Sequence, residues 1–175
     1  MSEPTPQDQP QLELAPSARS WSVLTSSPQE TEAWGGRLAP LLEAGDVLAF
    51  RGDLGAGKTT LVRGLARALG AKESVSSPTF VLMHIYEGRL PLYHFDAYRL
   101  HDSSDLYNIG AEEYIGTEGI ACLEWSERVE SLLPPQTLYL ELSYLSPQEP
   151  QGRRLTFSGP SARAQALIEE LRHDP

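Results

Sequence analysis

The sequence predicts an α/β fold built around a phosphate-binding loop, and three observations predict it. The stretch Gly52-Asp53-Leu54-Gly55-Ala56-Gly57-Lys58-Thr59 fits the pattern G-x-x-x-x-G-K-[ST]. The apolar run at 46–50 precedes it as a buried strand, and Leu61, Val62, Leu65, Ala66 and Leu69 follow at helical spacing. Further on, 80–86 and 92–98 read as two strands joined by a tight turn at Glu87-Gly88. Strands so closely joined must be antiparallel, so strands and helices do not simply alternate.

Each residue type in the loop has a physical task. Gly52, Gly55 and Gly57 allow backbone angles and close approaches that a Cβ forbids. The segment Asp53, Leu54, Gly55, Ala56, Gly57, Lys58, Thr59 and Thr60 can then wrap a nucleotide's phosphates with its amides. The positive end of the following helix assists. Lys58 is placed to reach the β- and γ-phosphates and the Thr59 hydroxyl to hold Mg²⁺.

Bulk composition narrows the function classes. With 40% hydrophobic and 22% charged residues in 175, the chain reads as one soluble domain over 18–175 after a Pro-rich mobile tail at 1–17. No apolar run is long enough for a membrane span, and the N-terminus has no basic-then-apolar signal. The single cysteine, Cys122, lies in an apolar run, which rules out an internal disulfide and fits a reducing, cytoplasmic setting. Fourteen basic residues against 24 acidic ones leave a net charge of −10, so an extensive direct grip on RNA or DNA is not expected. Any nucleic-acid role would run through a partner.

The remaining elements follow in order. Trp21 to Leu24 suits a short edge strand, and Ser27-Pro28-Gln29-Glu30 is a capping box with proline at the first helical position. That helix carries Ala33, Trp34, Leu38, Leu41 and Leu42 on one face and ends at Ala44-Gly45. Gly70 closes the helix after the loop. Short helical pieces are expected between His101 and Tyr114, then a buried strand ending in Glu124-Trp125. Ser126 is placed to cap a helix through Leu133 that Pro134-Pro135 stops. Thr137 to Leu145 alternates as a strand, 147–152 reads as a loop, and Arg154 to Phe157 pairs back. An amphipathic helix, Ala162 to Leu171, ends the chain.

A phosphate loop needs an acid for the metal and a group that positions the attacking water. Asp96 and Glu124 each stand where an apolar run gives way to polar residues, at the C-terminal ends of buried strands. Either alone also fits a solvated strand end. Thr79 suits a switch that senses the γ-phosphate, or an ordinary turn after Ser77-Pro78. His94 would share a sheet face with Asp96, as a packed histidine more readily than a general base. His84, His101 and His173 show no zinc-ligand spacing, and Trp125 reads as a core or wall residue.

Together, the phosphate loop, Ser77-Pro78-Thr79-Phe80, Tyr93-His94-Phe95-Asp96-Ala97-Tyr98-Arg99-Leu100 and Glu124-Trp125 resemble the bacterial TsaE (YjeE) ATPase family across roughly residues 20 to 172. The resemblance implies a P-loop NTPase-like three-layer domain whose mixed, mostly parallel sheet includes the antiparallel hairpin. It implies an ATPase that uses Mg²⁺ and serves threonylcarbamoyladenosine formation at position 37 of tRNAs reading A-starting codons. The partner would be a TsaD–TsaB heterodimer, reset between cycles, with tRNA met only through it. Adenine as the base comes from the resemblance alone. Carried over by position, Thr59 and Glu124 would ligate Mg²⁺, Asp96 would serve hydrolysis beside Lys58, and Thr79 would sit in the switch-like segment. Glu127 and Arg153, outside the quoted motifs, would line the nucleotide from the far side.

Two other readings stay open on residues alone. A small nucleotide or metabolite kinase would use the same loop, although Arg89, Arg99 and Arg128 are scattered and no lid-like insertion is apparent. A nucleotide-dependent binding switch with negligible turnover would suit Thr79 and the polar connector.

Overall fold

The computed structural model describes residues 19–78 and 82–173. The predicted tail at 1–17 lies outside them, as do Thr79 and Phe80. Seven strands form one sheet: β1 (Trp21–Thr25), β2 (Val47–Arg51), β3 (Met83–Tyr86), β4 (Leu92–Asp96), β5 (Ile120–Glu124), β6 (Leu138–Ser146) and β7 (Glu149–Ser158). Their order across the sheet is β1-β7-β6-β2-β5-β4-β3. The pairs β6–β2, β2–β5 and β5–β4 are parallel, whereas β1–β7, β7–β6 and β4–β3 are antiparallel. Only β3 and β7 therefore oppose the common direction. The sheet is mixed and mostly parallel.

Period-two alternation makes this a three-layer structure. On one face Leu48, Phe50, Cys122 and Leu140 pack with Leu38 of α1 (Pro28–Leu38), Leu61 and Leu65 of α2 (Lys58–Ala68), and Leu167 and Ile168 of α4 (Ala162–His173). On the other, Val47, Phe95, Ala121 and Leu123 meet Leu106 of α3 (Ser103–Asn108) and Val129. Strands β2, β4 and β5 are buried on both faces, which is why they read as continuous apolar runs. The Cys122 thiol is fully buried among them, and burial raises its pKa well above the usual value. Arg163 anchors α4 to the start of β2 by donating Nε and Nη2 to Asp46 at 3.0 and 2.6 Å.

Helices α1 and α2 cross with backbones nearly touching, because both present glycine at the crossing. A Cβ on Gly64 would collide with the Glu32 carbonyl oxygen, and one on Gly35 with the Leu61 carbonyl. Gly64→Ala is expected to lower stability by about 2 kcal/mol, since packed backbone cannot yield as a side chain can. An unchanged melting temperature would contradict this close packing.

Several boundaries differ from expectation. The first helix stops at Leu38, followed by a 3-10 turn over Ala39–Leu41, because Pro40 cannot continue an α-helix; Leu42 is already extended. Ala33 is exposed, and the buried face is Thr31, Gly35 and Leu38. The β3–β4 link spans 87–91 instead of a two-residue turn, and Arg89 N–H donates to Leu69 O at 2.6 Å. β4 ends at Asp96, two residues before the predicted Tyr98. Ser126 opens a 3-10 turn and not the expected α-helix. Trp125 takes a left-handed conformation (φ 58°), two 3-10 turns follow, and Val129 between them is drawn into the core. The expected loop at 147–152 is mostly strand, leaving Pro147-Gln148 as the turn. Pro150 is tolerated because it falls in the register shift of β6–β7, between the pairs Ser146–Glu149 and Tyr144–Arg153, and before the pairing with β1 begins at Arg153.

Candidate functional site

The site forms at the C-terminal ends of β2, β4 and β5, where three neighbouring parallel strands deliver their last residues together. β2 leads into the phosphate loop, which bends sharply at Gly52 (φ +137°), where a Cβ would clash with Leu142 O. Gly57 (φ +105°) then starts α2. Asp96 and Glu124 end β4 and β5 in register with each other. A cavity of about 300 Å³ opens there, lined by the loop, Lys58, Thr59, Thr60, Ser77, Asp96, Tyr98, Glu124 and Trp125.

Lys58 is almost wholly enclosed (4% exposed). Its Nζ donates to the carbonyl oxygens of Gly52 and Asp53 at 2.5 and 3.0 Å and lies 4.2 Å from the centre of the Trp125 ring. Burial holds its pKa below the ordinary lysine value, opposed by the negative charges of Glu124, Glu127, Asp96 and Asp53. An anionic ligand in the cavity would add a counter-charge in direct contact with this ammonium, which here is bonded to carbonyl oxygens.

Glu124 is 3% exposed, and its Oε1 accepts from the Thr59 hydroxyl at 2.7 Å and faces His94 Nε2 at 2.8 Å. His94 is fully buried, as a packed histidine should be. The other carboxylate, Asp96, accepts from Ser77 Oγ at 3.0 Å and from the Tyr98 amide at 2.9 Å. Glu124 thus reaches the phosphate-loop side through Thr59, whereas Asp96 is held by Ser77 and by the backbone just past its own strand.

The residues present fit Mg²⁺. Adjacent ligands of an octahedral ion with bonds of about 2.0–2.1 Å stand roughly 2.9 Å apart, close to the Thr59–Glu124 oxygen separation of 2.7 Å. Among the described residues no group of three or more His, Cys, Asp or Glu side chains could hold an ion unaided. Mg²⁺ needs none, because it is commonly held by one or two carboxylates together with substrate phosphates.

Of the residues proposed from the sequence, Leu54, Gly55, Gly57, Lys58, Thr59, Thr60, Asp96 and Glu124 line one cavity, whereas Asp53, Ala56, Glu127 and Arg153 do not line it. Glu127 is exposed on the 3-10 turn after Trp125 and does not line the cavity. Arg153 also lies off the lining, with its guanidinium bonded to the loop's carbonyl oxygens. Thr79 is outside the described residues. Ser77 and Tyr98 were missed as wall residues although both lie in quoted motifs. Tyr144 was missed with no local signal: it is one exposed aromatic on an alternating strand, yet its hydroxyl donates to Leu54 O at 2.8 Å.

Known proteins match this arrangement closely. The family model for threonylcarbamoyl adenosine biosynthesis protein TsaE matches residues 25–155. The tRNA threonylcarbamoyladenosine biosynthesis protein TsaE of Bacillus subtilis is 41% identical over 152 residues, 86% of this chain and 93% of that protein. Its counterpart in Treponema pallidum is 46% identical over 123 residues, covering 70% of this chain and 91% of its own length. The crystal structure of Bacillus subtilis YdiB superposes with a TM-score of 0.78 at 35% identity, covering 90% of this chain and 98% of that one. A phosphate loop on a mixed sheet, two carboxylates in register beside it and these likenesses converge on one assignment: the chain belongs to the TsaE family.

Proposed function

We propose that this chain is a Mg²⁺-dependent ATPase of tRNA threonylcarbamoyladenosine synthesis, acting at position 37 of tRNAs that read A-starting codons. The observation that carries the reading is the convergence of Lys58, Thr59, Asp96 and Glu124 on one cavity beside the phosphate loop. Lys58 and the loop amides bind the phosphate chain, and Thr59 and Glu124 offer the oxygens that would hold Mg²⁺. When bound, the ion would neutralise charge building on the phosphoryl oxygens. Asp96, kept in place by Ser77 and the Tyr98 amide, is the group available to orient water at the far end of the phosphates.

The partner in this reading is a TsaD–TsaB heterodimer that the ATPase resets between cycles, in the cytoplasm. The net charge of −10 supports leaving the tRNA to that partner. Among the described residues, no helix is long and apolar enough to cross a membrane.

Phosphate release by the purified protein, alone and with TsaD–TsaB, tests the proposal. Slow release that rises with the heterodimer is expected. Transfer of the phosphoryl group to a small acceptor would replace it with a kinase, and tight ATP binding with no release in either condition would leave a binding switch.

A further inference from the structure

We propose that Arg153 and Tyr144 are positioning residues that clamp the phosphate loop by its carbonyl side. This rests on the reading that the loop binds a phosphate chain. Three consecutive loop carbonyls are held from the β6–β7 hairpin. Tyr144 Oη donates to Leu54 O at 2.8 Å, Arg153 Nη2 to Gly55 O at 3.1 Å, and Arg153 Nε to Ala56 O at 3.0 Å. The remaining guanidinium nitrogen, Nη1, donates to Pro150 O and Gly152 O at 2.9 and 2.7 Å. The guanidinium carbon lies 4.2 Å from the centre of the Tyr144 ring, so the two side chains brace one another.

A peptide unit is planar and trans, so its carbonyl and the next N–H point in opposite directions. Holding the oxygens of Leu54, Gly55 and Ala56 therefore fixes where the amides of Gly55, Ala56 and Gly57 point. The Ala56 N–H closes a turn onto Asp53 O at 3.0 Å, and the Gly55 and Gly57 N–H groups are aimed away from the clamp. A glycine-rich loop otherwise pays heavily in backbone entropy to hold that arrangement. The clamp stands on the sheet, since Arg153 pairs with Tyr144 across β6–β7, beside the register shift that follows Tyr144, and with Thr25 of β1. Its fit is close: a Cβ on Gly55 would lie 2.7 Å from the Tyr144 hydroxyl.

The test compares wild type, Arg153→Met, Arg153→Lys and Tyr144→Phe by calorimetric titration with ATP and with inorganic tripolyphosphate. Amide hydrogen exchange at 55–57 is followed in the nucleotide-free proteins. Arg153→Met is expected to weaken both ligands about tenfold and to speed exchange at 55–57. Arg153→Lys should not restore binding, because one ammonium keeps the charge but cannot span two carbonyls. Tyr144→Phe, at a side chain 46% exposed and so safe for the fold, should weaken both ligands about threefold.

Restoration by lysine would show that charge alone matters and overturn the clamp. Loss of ATP affinity with tripolyphosphate unaffected would make Arg153 a base or ribose contact, also overturning it. Wild-type binding and exchange in both Arg153→Met and Tyr144→Phe would do the same. A wild-type protein that binds neither ligand would instead remove the phosphate-site reading itself.

Discussion

Lys58→Ala is expected to weaken ATP binding by roughly a hundredfold or more and to abolish measurable hydrolysis. Among the described residues the ammonium is the one cation lining the cavity, and loop amides alone cannot neutralise the β- and γ-phosphate charges. One or two charge-assisted hydrogen bonds at about 1.5–3 kcal/mol each account for that loss. The same group donates to Gly52 O and Asp53 O, so the variant should also loosen the loop. Titration beside a melting curve separates the two effects. Unchanged ATP affinity in a folded variant would remove Lys58 from the phosphate site.

Glu124→Gln is expected to reduce Mg²⁺-dependent hydrolysis about a hundredfold or more while leaving most nucleotide binding intact. Glutamine keeps the volume and retains an oxygen that can accept from Thr59 and His94, so the fold should survive. What it lacks is the negative charge a divalent ion needs. Glu124→Ala would be harsher, because it leaves the half-buried Thr59 hydroxyl and the buried His94 without their shared acceptor, at about 1–3 kcal/mol for the histidine. Mn²⁺ binding in the presence of ATP, followed by electron paramagnetic resonance, reads the metal site without reference to turnover. Wild-type hydrolysis and metal affinity in Glu124→Gln would remove Glu124 from that site.

The two residues illustrate how differently parts of the site were legible. Lys58 is announced by its immediate neighbours, because the loop's geometry is a local property of eight residues and the strand and helix flanking them. Glu124 had only its place at the end of an apolar run, and its relation to Thr59 spans 65 positions in the chain. The register of β5 against β2 and β4 settles that distance. Arg153 shows the limit more sharply. Carried over by resemblance alone, it is bonded in the fold to the carbonyl side of the loop, because β7 runs antiparallel beside β6 and β1 and brings it there.

The same division runs through the fold. Local patterns determined the α/β class, the loop between β2 and α2, the β3–β4 hairpin and the helices α1, α2 and α4, since each depends on residues close to one another in the chain. Where local signals competed with packing, packing won. Ser126 had the composition of a helix cap, but burial of Val129 and the left-handed turn at Trp125 left only 3-10 turns. Strand order, the meeting of Asp96 with Glu124, and the braces on the phosphate loop were decided by tertiary structure only. They depend on which strands lie side by side, and that is set by the burial of two sheet faces at once, which no window of sequence contains.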